Sequence, residues 1–371
     1  MHTGSTGVIK ISRYYYTCEN KECDYSCIPL DKILDISPNF ASGKFESKIC
    51  ALSAEMPFEN VAHYLKSQDN ILVSETMIRN TTERCGGALI KAESQNLIVE
   101  NSKEDKIETK ILYSQIDGCM VPIQSDGEDG SKEGHIVYKE CKLGTIYRNE
   151  DIKETTRQRN REKPSHQITT KQYVSSIGKG VEDFEKKWVS KIKNYYLALE
   201  YVFLSDGAVW IDNMISRHFP NAIHILDWYH ALEHLWTCAK ILFGENEKSK
   251  QESFVKPLEK LMWNGEIDLL CKKILDYIKL YPGKETDLRE LYSYYYTRKK
   301  QMQYKFFREK GYAIGSGGIE SANKYLVQKR LKGSGMKWTI QGAEAILKIR
   351  EKIYEYSWEL IFGNKALHFS Y

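Results

Sequence analysis

Hydrophobic and polar positions alternate most regularly between residues 106 and 230, where short apolar runs are separated by polar turns. A longer stretch, 182–199, repeats its large apolar residues at helical spacing and predicts an amphipathic helix. A second helix is predicted to end at His218, just before Pro220. The apolar runs predict strands over 111–116, 135–141, 145–148, 173–177, 201–204 and 222–226, with the second and third turned at Leu143-Gly144.

With the turned segments 135–141 and 145–148 counted as one unit, the resulting order is β-β-β-α-β-α-β. Three strands followed by alternating helices and strands predict an α/β (α+β) fold, a ribonuclease-H-like mixed sheet flanked by helices. A doubly wound parallel sheet is the alternative. The absence of predicted helices between the three opening strands argues against it.

The regions on either side of this core have a different texture. Residues 1–105 begin with a β-like stretch that leads into Cys18, Cys23 and Cys27. A predicted helical pair follows, 57–66 and 74–85, with Ser74 as N-cap and Gly86-Gly87 as the end of the second helix. The pair is either a helix-turn-helix that binds DNA or an ordinary helical hairpin.

Residues 231–310 are predicted to be a helical insertion, and 311–371 to return to the core. The insertion carries the basic, aromatic run LYSYYYTRKKQMQYKFFREK. The glycine-rich turn GSGG then opens a helix that contains Glu320, and a last helix is predicted over 341–356. The domains expected are therefore 1–105, 106–230 with 311–371, and 231–310.

Composition narrows the class of protein. The 371 residues are 42% hydrophobic and 28% charged, as in a soluble globular protein. A net charge of only +4 means that nucleic-acid binding must come from local basic patches. Two are present: a loop with Arg157, Arg159, Arg161 and Lys163, and the run Arg298, Lys299, Lys300.

The spacing of the cysteines and the length of the apolar runs indicate the cellular compartment. The nine cysteines are scattered rather than arranged as a disulfide framework. No apolar run is long enough for a membrane span, and the first residues lack the apolar centre of a signal peptide. We therefore expect a cytoplasmic protein.

Two predicted strands end in Asp-Gly, at Asp117-Gly118 and Asp206-Gly207. A carboxylate at a strand end is held at the rim of the sheet, and the glycine allows close approach of a backbone or a phosphate. With Glu320, these residues could bind two divalent ions for phosphodiester chemistry. Mg²⁺ or Mn²⁺ is expected because all three ligands are carboxylates. No Gly-x-Ser-x-Gly elbow and no P-loop offers a competing chemistry.

Several stretches resemble a known family. SDGAVWIDNMISRHFPNAIHILDWYHALEHLW and GSGGIESANKYLVQKRLKGSGMKWTIQGAEAILKIR are similar to the catalytic blocks of DDE transposases of bacterial insertion sequences, of the ISKra type. IDGCMVPI with YKECKLGTIY resembles the first catalytic strand and its neighbour, and RYYYTCENKECDYSCIPLD resembles the family's cysteine knuckle. The matches fall in the family's order and span residues 7–350.

The resemblance implies a transposase that cuts and joins DNA at insertion-sequence ends, with Asp117, Asp206 and Glu320 as the metal-binding catalytic triad. It also implies terminal-repeat and target DNA as partners, a homo-oligomer on DNA, and a place at the bacterial nucleoid. A shortened, inactive copy that represses transposition and a nuclease that cuts without joining are the alternatives.

Further candidate residues accompany the triad. Asp227-Trp-Tyr-His230 resembles an acidic-then-histidine motif of several transposase groups, so His230 either orients DNA or a metal-bound water or is structural. Lys324 either contacts phosphate or pairs with Glu320. Cys18 and Cys23 form half of a zinc site, and Cys27 adds a third ligand at most. We expect this site to be incomplete.

Overall fold

The computed structural model centres on a five-stranded mixed sheet with helices on both faces. Strands and helices form because the apolar positions of each element fall on the face that meets the sheet core. The structure describes residues 2–4, 7–9, 11–34, 42–95, 106–127, 131–155 and 165–358.

The N-terminal part consists of two small hairpins followed by helices. The hairpins pair β1 with β2 and β3 with β4, all antiparallel. The elements are β1 His2–Gly4, β2 Gly7–Ile9, β3 Tyr16–Thr17, β4 Ser26–Cys27, α1 Pro29–Leu34, α2 Gly43–Glu55, α3 Phe58–Asp69 and α4 Glu75–Ser94.

The predicted helical pair is confirmed as α3 and α4. Asn70 adopts a left-handed conformation with φ 54° and ends α3, and the Ser74 hydroxyl accepts a hydrogen bond from the Met77 amide at 3.2 Å and begins α4. The expected end at Gly86-Gly87 is wrong, because α4 continues to Ser94. Gly86 instead allows close helix packing: a Cβ there would lie 2.5 Å from the carbonyl oxygen of Ala345.

The predicted order of core strands and helices is confirmed, with one extra small hairpin, β7–β8. The spatial order is β11-β10-β5-β6-β9. β6 is antiparallel to both β5 and β9, whereas β10 is parallel to both β5 and β11. The elements are β5 Ile107–Gln124, β6 Ile136–Arg148, β7 Ile152–Thr155, β8 Ser165–Ile168, β9 Gln172–Ile177, α5 Val181–Tyr195, β10 Tyr196–Ser205, α6 Val209–His218 and β11 Ile223–Leu226.

Two strand boundaries differ from the prediction. β5 does not end at Asp117-Gly118 but continues to Gln124, because β6 pairs with it along this whole length. Residues 135–148 form one strand rather than two turned at Leu143-Gly144. Gly144 lies inside that strand, where a Cβ would come within 3.2 Å of the Phe184 and Trp188 rings of α5.

The two faces of the sheet pack against different helices. On one face, Trp188 of α5 packs edge-on against Phe203, and its indole N–H donates to the Ser114 hydroxyl at 2.9 Å. On the other, Val202 and Leu204 belong to a core shared with the following helices. Burial on both faces explains the continuous apolar run of β10.

Residues after β11 form the expected helical region, which joins the sheet core through Trp228 and Tyr304. A 3₁₀ turn, Lys299–Met302, separates its last two helices. The helices are α7 Trp228–Phe243, α8 Lys248–Trp263, α9 Ile267–Leu280, α10 Glu285–Thr297 and α11 Tyr304–Glu309. In the described ranges no helix combines the length and apolar character that crossing a membrane requires.

The C-terminal helices connect the sheet to the N-terminal helices. They are α12 Gly317–Ala322, a π-helical turn Asn323–Gln328, α13 Lys329–Leu331 and α14 Ile340–Tyr354. Arg350 of α14 is fully buried. Its guanidinium donates to the Leu326 carbonyl at 2.7 Å and also to the carbonyls of Tyr325 and Ala54. One side chain therefore links the π-helical turn to the end of α2.

Candidate active site

Asp117 and Asp206 lie side by side on neighbouring strands. The parallel pairing of β5 and β10 aligns Ile116 with Ser205, the last residue of β10. The next residue on each strand is an aspartate, and neighbouring strands lie about 4.8 Å apart. The structure thus brings these two predicted site residues together at the point where β10 ends and β5 continues.

Asp117 is held by short hydrogen bonds in a half-buried position. Its Oδ1 accepts from the Gly118 amide at 2.7 Å, and its Oδ2 accepts from the Asn323 side-chain amide at 2.6 Å. Burial raises the pKa of Asp117 above its ordinary value, and the charge of Asp206 raises it further. The Gly118 amide, His230 and Asn323 act in the opposite direction. A bound cation would relieve both unfavourable effects.

The turn after Asp206 is fixed by the helical region. Asp206 Oδ1 accepts from the Ala208 amide at 2.9 Å, and Gly207 has a left-handed φ of 85° that a side chain would strain. The Arg298 guanidinium donates to the Gly207 carbonyl at 2.6 and 3.2 Å and lies 4.4 Å from the Tyr294 ring. Tyr294 in turn donates its hydroxyl to the Asp206 carbonyl at 3.1 Å. Arg298, predicted to contact DNA or support the site, therefore has a supporting position.

Glu320 lies in α12, one turn before Asn323 and on the same side of the helix. Its carboxylate is half-exposed and lies 3.9 Å from the Lys324 ammonium, so of the two alternatives for Lys324 the pairing with Glu320 is observed. Asn323, by contrast, is buried, and its amide oxygen has no hydrogen-bond partner among the residues that the structure describes. The sequence spacing places Asn323 on the same face of the helix as Glu320, but it gives no sign that Asn323 would contact Asp117.

The GSGG turn is anchored beneath this helix. Asp227 is fully buried, and its carboxylate accepts from the Ser316 amide at 2.5 Å and the His230 amide at 2.8 Å. Gln115 of β5 accepts from the Ile319 amide at 2.8 Å. These contacts fix the start of α12 over β5. Asp227 is therefore a structural residue, which caps α7 and the glycine turn together.

Two histidines of α7 border the aspartates. His230 is half-buried, influences the charge of Asp117, and has its Nδ1 3.7 Å from Glu233. The ring of His234 lies 3.8 Å from that of Tyr294, and burial lowers the pKa of His234. His230 is thus placed beside the candidate site, whereas His234 packs behind the Asp206 turn.

The donor set suits a hard cation in part. Asp117 and Asp206 offer carboxylate oxygens, and the unpartnered amide oxygen of Asn323 is a further oxygen ligand of the kind that Mg²⁺ accepts. Across the described part of the chain, however, no three His, Cys, Asp or Glu side chains are gathered as a metal-binding group. Of the three predicted ligands, Asp117 and Asp206 are adjacent, whereas the Glu320 carboxylate is oriented toward Lys324.

The remaining predicted residues lie away from this centre. Lys299 pairs with Asp268 at 2.7 Å and lies over the Tyr296 ring, while Lys300 is exposed. The basic loop with Arg157, Arg159, Arg161 and Lys163 falls outside the described residues. Cys18 and Cys23 are exposed at the β3–β4 hairpin, and Cys27 is half-buried on β4.

Comparison with known proteins gives a likeness to solved structures but no sequence match. No family model matches the chain, and no curated protein matches it. Among solved structures, the chain is similar to one described as the Drosophila P element transposase strand transfer complex, with a TM-score of 0.32 and 10% identity. The alignment covers 87% of this chain and 82% of that one. A TM-score this low carries no argument about the site. The assignment of the site therefore depends on the positions of its own residues.

Proposed function

We propose that this protein is a DDE-type transposase that cleaves DNA strands and joins them to a target, with Asp117, Asp206 and Glu320 as its acidic residues. The observation that carries the proposal is the pair Asp117 and Asp206, adjacent at the end of β10 and covered by the helix that bears Glu320 and Asn323. The family resemblance of the sequence points to the same three residues.

The strand order supports a ribonuclease-H-like core. Numbered along the chain, the five sheet strands lie in the spatial order three-two-one-four-five, with the second antiparallel to its neighbours and the last two parallel to the first. In this order the first strand, β5, is central, and the fourth strand, β10, lies beside it. Carboxylates on these two strands therefore share one edge, where a phosphodiester can reach both.

Asp117 and Asp206 would hold a divalent cation, Mg²⁺ or Mn²⁺, with Glu320 completing the set from the helix. The metal supplies Lewis-acid activation of the attacking oxygen and stabilisation of the leaving oxygen. The protein's own part is to hold the two aspartates rigidly: Gly118 and Asn323 orient Asp117, while Ala208, Arg298 and Tyr294 fix the Asp206 turn. His230 lies close enough to Asp117 for its charge to lower the pKa of that carboxyl.

The direct test uses the purified chain with labelled DNA from either side of its own gene, with Mg²⁺ and with EDTA. We expect nicked and joined products in Mg²⁺ only. Asp117→Asn and Asp206→Asn should reduce product formation by at least about a hundredfold, as expected when a charge-stabilising group is removed, and leave DNA binding unchanged. Asp276→Asn, on the exposed surface of α9, is the matched control. Wild-type rates in either site variant would refute the assignment.

A second candidate, a DNA-binding repressor without catalysis, is favoured by one observation. Glu320 pairs with Lys324 rather than joining the two aspartates, and no three-ligand group is gathered among the described residues. This candidate predicts tight binding to the same DNA without nicked products in Mg²⁺ or Mn²⁺. Nicked products without joined ones would indicate the third class, a nuclease.

A further inference from the structure

A cavity of about 390 Å³ opens on the other side of the helix that carries Glu320. Ser321 and Tyr325 from this helix line it, together with Lys171 from the loop after β8 and Tyr354 and Tyr356 from the end of α14. The cavity is thus separated from Asp117 by the width of one helix. Its volume lies in the range of small-ligand sites, about 300–1,000 Å³.

Among the described residues, the lining combines aromatic rings with one cation, Lys171. The rings of Tyr325 and Tyr354 are 4.9 Å apart, and the Lys171 ammonium lies 5.8 Å from the centre of the Tyr325 ring. Among the described residues that line the cavity, none is acidic, so Lys171 has no carboxylate partner there. Burial lowers the pKa of Lys171. An anion entering the cavity would therefore gain an unshared positive charge.

Tyr356 lies at the mouth of the cavity, just after the end of α14. Its left-handed φ of 57° belongs to the helix end, where the Tyr356 and Ser357 amides donate to the Ile353 and Lys352 carbonyls at 3.1 and 3.0 Å. Its side chain is 79% exposed, so the helix end presents an aromatic ring to solvent at the cavity that Lys171 also lines. Such a ring offers a flat surface on which another ring can stack.

We propose that this cavity binds one unpaired nucleotide of a DNA strand, with its base against the tyrosine rings and its phosphate at Lys171. The inference rests on the proposed function, since the helix between the cavity and Asp117 would then separate a reacting strand from an unpaired neighbour. Stacking on tyrosine with a nearby cation is how proteins hold single-stranded bases without reading their sequence.

The test measures binding by the full chain in EDTA, where no cleavage can occur. The probe is a duplex with a short single-stranded overhang that contains a fluorescent adenine analogue, compared with the same duplex made blunt. We expect the overhang to be preferred and the fluorescence to change on binding. Lys171→Met and Tyr356→Gly should each reduce the preference by about fivefold or more. Glycine suits the left-handed φ, so the Tyr356 variant keeps its fold while losing the ring.

Lys250→Met, the same change on the exposed surface of α8, is the matched control and should keep the full preference. Asp117→Asn should keep it too. Absence of cleavage by the wild-type chain in Mg²⁺, with the overhang preference intact, would overturn the proposed catalysis and not the cavity assignment. Wild-type preference in both cavity variants would overturn the cavity assignment. So would a free mononucleotide that binds as tightly as the overhang, because the site would then not serve a DNA strand.

Discussion

At the scale of single residues, Asp117 is placed at an energetic disadvantage. It is half-buried next to a second carboxylate, and both effects raise its pKa. An ionised group with a raised pKa in the folded state lowers stability once the pH exceeds its unfolded value. A protein selected for stability alone would not retain this pair, and a cation between the two carboxylates would remove the cost. The proximity of Asp117 and Asp206 is therefore better explained by cation binding than by a contribution to folding stability.

This argument predicts that Asp117→Asn raises the Tm of the metal-free protein at neutral pH. The gain should be complete above the folded pKa of Asp117 and disappear as the pH falls below the unfolded value near 4, where the wild-type carboxyl is protonated in both states. Thermal unfolding in EDTA across this pH range measures it. Asp276→Asn, which changes an exposed carboxylate, should show no such pH-dependent gain. A lower Tm for Asp117→Asn at neutral pH would contradict the prediction.

At the scale of elements, the sequence predicted the order of strands and helices but not where each pairing ends. β5 passes beyond Asp117 because β6 pairs with it as far as Gln124, and a single-strand pattern contains no information about the length of its partner. Gly144 lies in a strand rather than a turn because two aromatic rings of α5 fill the space above it. In both cases tertiary packing overrode the local turn signal.

Gly86 and Gly87 allow a direct test of the same principle. Both lie inside α4, where replacing glycine by alanine ordinarily gains up to about 1 kcal/mol of helix stability. A Cβ on Gly87 meets nothing within 4 Å, so Gly87→Ala should stabilise the protein by about that amount. A Cβ on Gly86 would clash with the backbone of Ala345 at 2.5 Å, so Gly86→Ala should destabilise it by about 1–3 kcal/mol. Urea unfolding of both variants measures the difference, and equal effects would exclude the close packing.

The β3–β4 hairpin gives a second prediction at this scale, on zinc. It presents Cys18 and Cys23 to solvent, with Cys27 on the opposite strand. A structural zinc site needs four ligands, and within the described ranges no further His, Cys, Asp or Glu joins these cysteines. We expect the purified chain to contain well under one zinc per molecule by elemental analysis. A full equivalent of zinc, lost in Cys18→Ser or Cys23→Ser but kept in Cys271→Ser, would show that the site is complete.

At the scale of the whole molecule, contacts distant in sequence position the candidate site. Arg350 joins the π-helical turn of Asn323–Gln328 to the end of α2, and Asn323 begins that turn and reaches Asp117. The partners in these contacts are separated by 24 to 296 positions. No periodicity or motif spacing reports such pairings. The sequence could therefore nominate Asp117, Asp206 and Glu320 but could not reveal that Asn323, rather than Glu320, contacts Asp117.

DNA binding is also a property of the whole molecule, because a net charge of +4 leaves affinity to local patches. Of the two predicted basic patches, the structure describes the run from Arg298 to Lys300. In the run from Arg298 to Lys300, the first residue holds the Gly207 carbonyl and the second pairs with Asp268, which leaves Lys300 exposed. The segment 156–164 contributes four basic side chains, and we expect it to supply most of the phosphate contacts.

The last prediction concerns salt. The logarithm of affinity for duplex DNA falls by about 0.9 per phosphate contact for each unit of log salt. Replacing Arg157, Arg159, Arg161 and Lys163 by Gln should therefore reduce this slope by up to about 3.6. Lys299→Gln is the control and should leave the slope nearly unchanged, because Asp268 already neutralises that charge. Affinities measured by fluorescence anisotropy from low to physiological salt give the slopes. An unaltered slope in the fourfold variant would show that DNA lies elsewhere on the molecule, since lost phosphate contacts cannot leave the number of released counterions unchanged.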